Sequence, residues 1–306
     1  MDRVTKIIGQ YSLPEYQPVR LIRESGDNKV YVVGDGNKTV LRLSKRLSVN
    51  DVQFEHDCMQ YLAASGVPVA PWIHLTDGNI SAITDDESVA VVFGFIDGHH
   101  IAVDKQHRAT SAEAFAAGSA LGEIARAGKS FELKTERTRT IFTELERVLT
   151  HKDRFINVFN NGLEFVEDVE KMIVFARKAN TPIGLIHNDF RASNVLFDDT
   201  GSVVGVLDFD WSCIGPLMKD VALGALEWSF PDGAEAHDPA VFDAFVNGYL
   251  SKYGKDEVMH DLYHWVQFAA LSDAATYFCD ALDELESSRT ILSSYMYKKF
   301  KYFSKL

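Results

Sequence analysis

Apolar and polar residues alternate in short runs up to about residue 95, and beyond it they recur mostly at helical spacing. Residues 29–33 (KVYVV) and 39–43 (TVLRL) flank Gly34-Asp35-Gly36-Asn37, which predicts a β-hairpin, with residues 21–28 leading into it. Strand alternation puts Arg42 on the face opposite Leu41 and Leu43. Residues 50–64 read as a helix, with Asn50 and Gln53 as a capping box and Gly66 as its stop. Val52, Met59 and Leu62 form its apolar stripe, and Glu55 lies one position round, within reach of Arg42 across the lobe. Residues 88–95 (SVAVVFGF) predict a buried strand that ends at Ile96-Asp97-Gly98.

The second part is predicted to be mainly helical, over residues 112–127, 141–148 and 165–179, up to Thr181-Pro182. Two short apolar runs, 194–197 and 203–207, enclose Asp198-Asp199-Thr200-Gly201-Ser202, a second hairpin signal. Ile214-Gly215-Pro216 reads as a turn, a helix starts at Lys219, and the rest forms a helical layer. A small sheet with one helix, followed by helices, predicts an α+β fold of two lobes, residues 1–95 and 96–306. A chain of 306 residues is large enough for that division.

The chemistry concentrates in residues 186–210, IHNDFRASNVLFDDTGSVVGVLDFD. Asp189 and Asn194 have the D-x-x-x-x-N spacing in which an Asp takes a proton from a hydroxyl and an Asn holds a metal. Asp208 ends the second apolar run, and the hairpin folds Asn194 back beside it. One amide and one carboxylate suit Mg²⁺, which takes few protein ligands and keeps waters and substrate phosphates. Asp210 is a candidate for a second Mg²⁺, and His187 for fixing the loop backbone. The strand end followed by the Ile96-Asp97-Gly98 turn forms a hinge whose exposed amides can read an adenine edge. The turn holding Gly26 is either an ordinary β-turn or a place where backbone N–H groups meet a phosphate.

A net charge of −13 excludes non-specific nucleic-acid binding. Cys58, Cys213 and Cys279 have no metal-ligand spacing and fit reduced thiols in a cytoplasmic protein. No run approaches the ~18 apolar residues of a membrane span, and the N-terminus lacks the apolar run of a signal peptide. Residues 231–290 hold twelve Asp/Glu against three Lys/Arg, interleaved with Tyr249, Tyr253, Tyr263, Trp265, Phe268 and Tyr277. They form either an attractive wall for a cationic ligand or solvated acidic faces over a core. Trp211 and Trp228 are placed to border a substrate pocket, and Lys298, Lys299, Lys301 and Lys305 read as a solvated terminal face.

HNDFRASN (187–194), LDFDWSCIGP (207–216) and Asp220 resemble the aminoglycoside phosphotransferase and choline kinase family, which includes homoserine and methylthioribose kinases. The resemblance spans about residues 21–230. It implies a protein-kinase-like fold, with a five-stranded N-lobe carrying one helix, a hinge and a mainly helical C-lobe. It also implies an ATP- and Mg²⁺-dependent transfer of a phosphoryl group to the hydroxyl of a small molecule. Asp189 is then the base, Asn194 and Asp208 the metal ligands, Phe93 and Phe95 part of the hinge, and Asp220 a support for the loop. The family's phosphate-binding lysine, partner of Glu55, is replaced by Arg42, with Lys38 and Lys45 as alternatives. Arg191 either stabilises the transferring phosphoryl, pairs with Asp210 or faces solvent. Rival readings are a protein serine/threonine kinase and a silent nucleotide-binding module. The missing A-P-E segment and the short step from Asp208 to Lys219 weigh against the first.

Overall fold

Strand alternation gives the N-terminal sheet two covered faces. The computed structural model describes residues 3–11, 13, 18–25, 28–254, 261–280, 282 and 291–306. The first elements are α1 (Arg3–Ile8), β1 (Val19–Ser25), β2 (Asn28–Val33), β3 (Thr39–Ser44), α2 (Val49–Ala64), β4 (Trp72–Ile73), β5 (Ala82–Ile83) and β6 (Val89–Gly94). The sheet order is β1-β2-β3-β6-β4, with β5 also on β6, and all pairings are antiparallel. Leu41, Leu43, Ala90 and Val92 pack with Val4, Ile7 and Ile8 of α1. Their neighbours Val91 and Phe93 join Val52, Phe54 and Cys58 of α2 in a separate, larger core. The sheet therefore has six strands rather than five, and α1 is a second helix.

The predicted hairpin of β2 and β3 forms around a positive-φ residue, Gly34, with Val33 opposite Thr39. The cap of α2 lies two residues before the predicted one. Ser48, not Asn50, is the N-cap, and its hydroxyl and the Asp51 carboxylate close the capping box. Helix α2 ends at Ala64 with Ser65 as its C-cap, and Gly66 takes the left-handed conformation just beyond.

The mainly helical region contains α3 (Ser111–Gly128), α4 (Thr143–Thr150), α5 (Lys152–Val158), α6 (Gly162–Lys178), α7 (Leu217–Ser229), α8 (Pro239–Tyr253), α9 (Leu262–Asp280) and α10 (Tyr295–Phe303). Between α6 and α7 run β7 (Ile183–Ile186), β8 (Val195–Phe197), β9 (Val203–Val206) and β10 (Cys213–Pro216). Strands β8 and β9 form the predicted hairpin, whereas residues 214–216 are not a turn but part of β10, paired antiparallel with β7. Helices α3 and α8 approach so closely that a Cβ on Gly118 would sit 2.0 Å from the Phe245 carbonyl oxygen. Together the β-rich and helical parts make a bilobal, protein-kinase-like fold.

The lobes share one core, which runs from α2 through β6 and the β8–β9 hairpin to α7 and α10. Two bridges tie other parts of the chain to that hairpin: Val69, between α2 and β4, pairs with Val206, and His99, just after β6, pairs with Phe197. Several aromatic residues read as pocket candidates are core instead: Trp228, Tyr249, Trp265 and Phe268 are buried. Helical spacing looks the same for a core stripe and an aromatic cage. The terminal lysines are likewise not all solvated. Lys299 is buried, and Lys301 binds Glu164 and Asp168 at 2.7 and 2.6 Å. Among the described residues no helix is long and apolar enough to cross a membrane.

Candidate active site

The loop after β7 is held by its backbone. Buried Asp220, in the first turn of α7, accepts the N–H of His187 at 2.6 Å and of Asn188 at 2.7 Å. The Lys219 ammonium donates to the Asn188 carbonyl at 3.0 Å. The His187 Nε2 lies 2.9 Å from the Leu207 carbonyl oxygen, and the Asn188 amide donates to that of Trp211 at 3.0 Å. Asn188 and Asp208 both have positive φ, 66° and 65°. Asn and Asp tolerate that region better than other non-glycine residues, and the bonds around them hold the loop there.

Asp189 emerges from this frame with both carboxylate oxygens engaged. Asn194 Nδ2 donates to its Oδ2 at 3.0 Å and to its main-chain oxygen at 2.9 Å, while Arg191 Nε donates to Oδ1 at 2.6 Å. The Leu207 N–H donates to the Asn194 carbonyl at 2.8 Å, so the hairpin brings Asn194 beside the start of the D-F-D segment. Arg191 turns away from Asp210. Its other partners are Asp273 at 3.0 Å and Glu227 at 3.6 Å.

Toward the sheet, Arg42 makes a bidentate pair with Glu55, at 2.9 Å from Nη1 and 2.5 Å from Nη2. Its Nη1 is 3.6 Å from Asp208 Oδ1. Arg42 and Glu55 are buried, and a planar guanidinium matches a carboxylate in a way a lysine cannot. Lys45 instead faces Asp86 at 3.8 Å, and Lys38 sits over the Phe95 ring at 4.9 Å. Of these three cations, Arg42 is the one next to Asp208. Phe93 packs edge-on against Trp72 and under the Arg42 guanidinium, and the Phe95 N–H goes to the Lys38 carbonyl at 3.4 Å. Gly26 lies outside the described residues.

Residues that the motifs did not single out complete this side. Arg46, just past the end of β3, binds Asp210 Oδ2 at 2.5 Å, whereas Asp210 Oδ1 is buried without a partner. Arg137 spans the lobes, from Asp51 on α2 to the main-chain oxygens of Asp210 and Ser212. The guanidinium groups of Arg46 and Arg139 lie over the Trp211 ring, at 4.8 and 3.8 Å from its centroid. Desolvation, followed by the charge of Asp210, pushes the Asp208 carboxyl up to about 8. Such crowding of carboxylates is relieved by a cation.

On the other side, a cavity of about 300 Å³ is lined by His100, Ile101, Val103, Asp104, Arg191 and Glu227. Burial opposes the charge on Glu227, but Lys299 and then Arg191 hold its carboxyl below the usual range. Glu227 carries a signal that spacing alone could have raised. It lies seven residues after Asp220 on α7, two turns on and on the same face.

Residues 18–265 match the model of the phosphotransferase enzyme family. The homoserine kinase of Neisseria meningitidis serogroup B is 25% identical over 255 residues, which are 81% of this chain and 78% of that protein. The structure of a microcompartment-associated aminopropanol kinase has a TM-score of 0.75 at 18% identity, covering 99% of this chain and 96% of that one. Amicoumacin kinase hAmiN, solved with AMP-PNP, Ca²⁺ and Ami, has a TM-score of 0.73 at 15% identity, covering 94% of both chains. At such identities the two structures show the fold.

Proposed function

The chain belongs to the phosphotransferase enzyme family and is an ATP-dependent phosphotransferase, and from that premise we propose that it moves the γ-phosphoryl of ATP to the hydroxyl of a small cationic molecule. The observation that carries this reading is the convergence of four groups. Asp189 is bonded to Asn194, the hairpin joins Asn194 to the Asp208 segment, and Asp208 is 3.6 Å from Arg42.

Use of ATP with Mg²⁺ is typical of the family, and the donors here fit that ion. Among the described residues no three or more His, Cys, Asp or Glu side chains are gathered as a metal cage. Asn194 and Asp208 instead offer one amide and one carboxylate, and the partnerless Asp210 Oδ1 is a further oxygen donor. Mg²⁺ needs no more from the protein, because waters and phosphates fill its remaining positions. When bound, it supplies neutralisation of charge on the phosphate oxygens.

The chain's own groups do the rest. Arg42, fixed by Glu55, presents positive charge toward the phosphates beside Asp208. Asp189 orients the acceptor hydroxyl and takes its proton, and Arg191 stabilises the transferring phosphoryl. Phosphoryl transfer passes through a loose transition state, so positioning and charge carry most of the catalysis. Asp189, Glu227 and Asp273 surround the one guanidinium of Arg191, and this excess of carboxylates favours an ammonium-bearing acceptor. The similarity to a homoserine kinase supports an amino alcohol or hydroxy amino acid of that size. A peptide acceptor is disfavoured, because a short 3₁₀ turn and the paired strand β10 fill the step from Asp208 to Leu217.

The test is Mg²⁺-dependent ATP consumption with homoserine, aminopropanol, ethanolamine, choline, aminoglycosides and a generic peptide. Stimulation by a small amino alcohol is expected, and stimulation by the peptide alone overturns the reading. Asp189→Ala should lower kcat by roughly 10²–10⁴-fold with Mg-ATP affinity nearly unchanged. Equal losses in both would remove Asp189 from the base role.

A further inference from the structure

The last helix brings a charge to Glu227, which lines the cavity together with Arg191. Lys299 of α10 is 1% exposed, with Nζ 3.3 Å from Glu227 Oε1 and 3.4 Å from Asp232 Oδ1. The rings of Phe230 and Tyr295 lie 5.7 and 5.4 Å from the same ammonium. An ammonium is strongly hydrated, so a chain keeps one buried only beside charges that need it. Here the need is Glu227, which lines the cavity and whose other oxygen faces Arg191.

The distances around Arg191 are graded. Its contacts to Asp189 and Asp273 are 2.6 and 3.0 Å, but the contact to Glu227 is 3.6 Å. Glu227 is the carboxylate of the three that has a second cation, Lys299, bonded to it. With that ammonium in place, Glu227 competes only weakly for the guanidinium, which stays on Asp189. Without it, two carboxylates on α7 and α9 would draw Arg191 away from the loop.

We propose that Lys299 is a positioning residue of this enzyme: by satisfying Glu227 it keeps the Arg191 guanidinium on Asp189 and so fixes the Asp189 carboxylate beside the acceptor cavity. The proposal rests on the reading that Asp189 takes the acceptor's proton. It makes α10 part of the active site, although α10 lies about a hundred residues beyond the loop in sequence. It also makes α7 a two-point support, with Asp220 holding the loop backbone and Glu227 its arginine.

The experiment uses Mg-ATP as the probe and water as the acceptor, so that no acceptor need be known. Initial rates of ATP hydrolysis are measured for the wild type, Lys299→Met, Lys299→Arg, Glu227→Gln and the Lys299→Met/Glu227→Gln double variant. Lys299→Met should lower kcat about tenfold with KM for Mg-ATP unchanged. Lys299→Arg, which keeps the charge, should restore most of the rate. In the Glu227→Gln background, where Lys299 keeps only the half-exposed Asp232 as a partner, Lys299→Met should cost no further activity. Wild-type kcat in a folded Lys299→Met protein overturns the proposal, as does a full additional loss in the double variant. If Lys299→Met alone does not fold, the double variant, which removes both buried charges together, must fold and match Glu227→Gln; a further tenfold loss there overturns the proposal. A wild type without any Mg-ATP turnover overturns the phosphotransferase reading and this proposal together, whereas an active wild type with indifferent Lys299 variants overturns only the positioning role.

Discussion

The two flanks of the 187–210 stretch solve one problem, holding charges in place, in opposite ways. On the sheet side the pairs are nearly one to one: Arg42 with Glu55, Arg46 with Asp210, Arg137 with Asp51. On the helical side charges are shared, with Arg191 among three carboxylates and Lys299 between two. A one-to-one pair, above all the bidentate one of Arg42 with Glu55, has a single good geometry, which suits a ligand that does not vary, such as the phosphates of a nucleotide. A shared network has several arrangements of similar energy, so small substitutions re-aim it. We assign the sheet side to the nucleotide and the shared side to the acceptor on this contrast.

The contrast is broken most severely at Asp208, where removal of the carboxylate should silence turnover whatever the acceptor. Asp208→Ala should lower kcat by at least about 10³-fold, as expected when a main source of charge stabilisation is lost. Mg²⁺ should also cease to raise the melting temperature of the nucleotide-bound protein, while acceptor binding persists. Retained Mg²⁺-dependent stabilisation in Asp208→Ala would remove Asp208 from the ligand set.

Arg42→Lys sharpens the contrast by an intermediate amount. Lysine keeps the charge but cannot grip Glu55 with two parallel hydrogen bonds, so KM for Mg-ATP should rise about tenfold with KM for the acceptor unchanged. Arg42→Ala is the poorer probe, because a Glu55 left buried and unpaired destabilises a fold by roughly 3–5 kcal/mol. Steady-state kinetics with both substrates varied separates the two sides. An equal rise in both KM values would show that the flanks are not independent.

Legibility in the sequence divides along the same line. Asp189, Asn194 and Asp208 are close in number, and the hairpin between them has its own turn signal. Arg42 and Glu55 were readable because strand alternation and a helical stripe each put one charged residue on the shared face. The acceptor side draws on the loop, α7, α9 and α10, and no local period links Arg191 to Asp273 or Lys299. Lys299 looked solvated because Lys298, Lys301 and Lys305 surround it in sequence; burial depends on which face of α10 meets α9. The acidic, aromatic stretch 231–290 misled for the opposite reason. Trp265 and Phe268 have the spacing of a cage wall but pack into the core, whereas Asp273, on the same helix, reaches the site. Arg46 and Arg137 were missed because an isolated arginine gives no pattern until the fold brings its carboxylate near.

The smallest effect tests whether the sheet side depends on where α2 starts. The Ser48 hydroxyl accepts the Asp51 N–H at 3.1 Å, and Asp51, held by this box, also receives Arg137, whose other nitrogens bind the main chain at Asp210 and Ser212. The cap is thus one side chain, Arg137, away from the segment that carries Asp208. Ser48→Ala removes one partner of the box and should cost about 1 kcal/mol, or a melting temperature lower by roughly 2–4 °C. If α2 only packs against the sheet, that is the whole effect. If its first turn also sets the Asp208–Asp210 segment through Arg137, KM for Mg-ATP should rise about twofold, in proportion to the weakened cap, while the acceptor's KM stays at the wild-type value. Arg137→Lys, which keeps the charge but loses the fork, should then show the same kinetic signature in larger measure, because it cuts the link that Ser48→Ala only loosens.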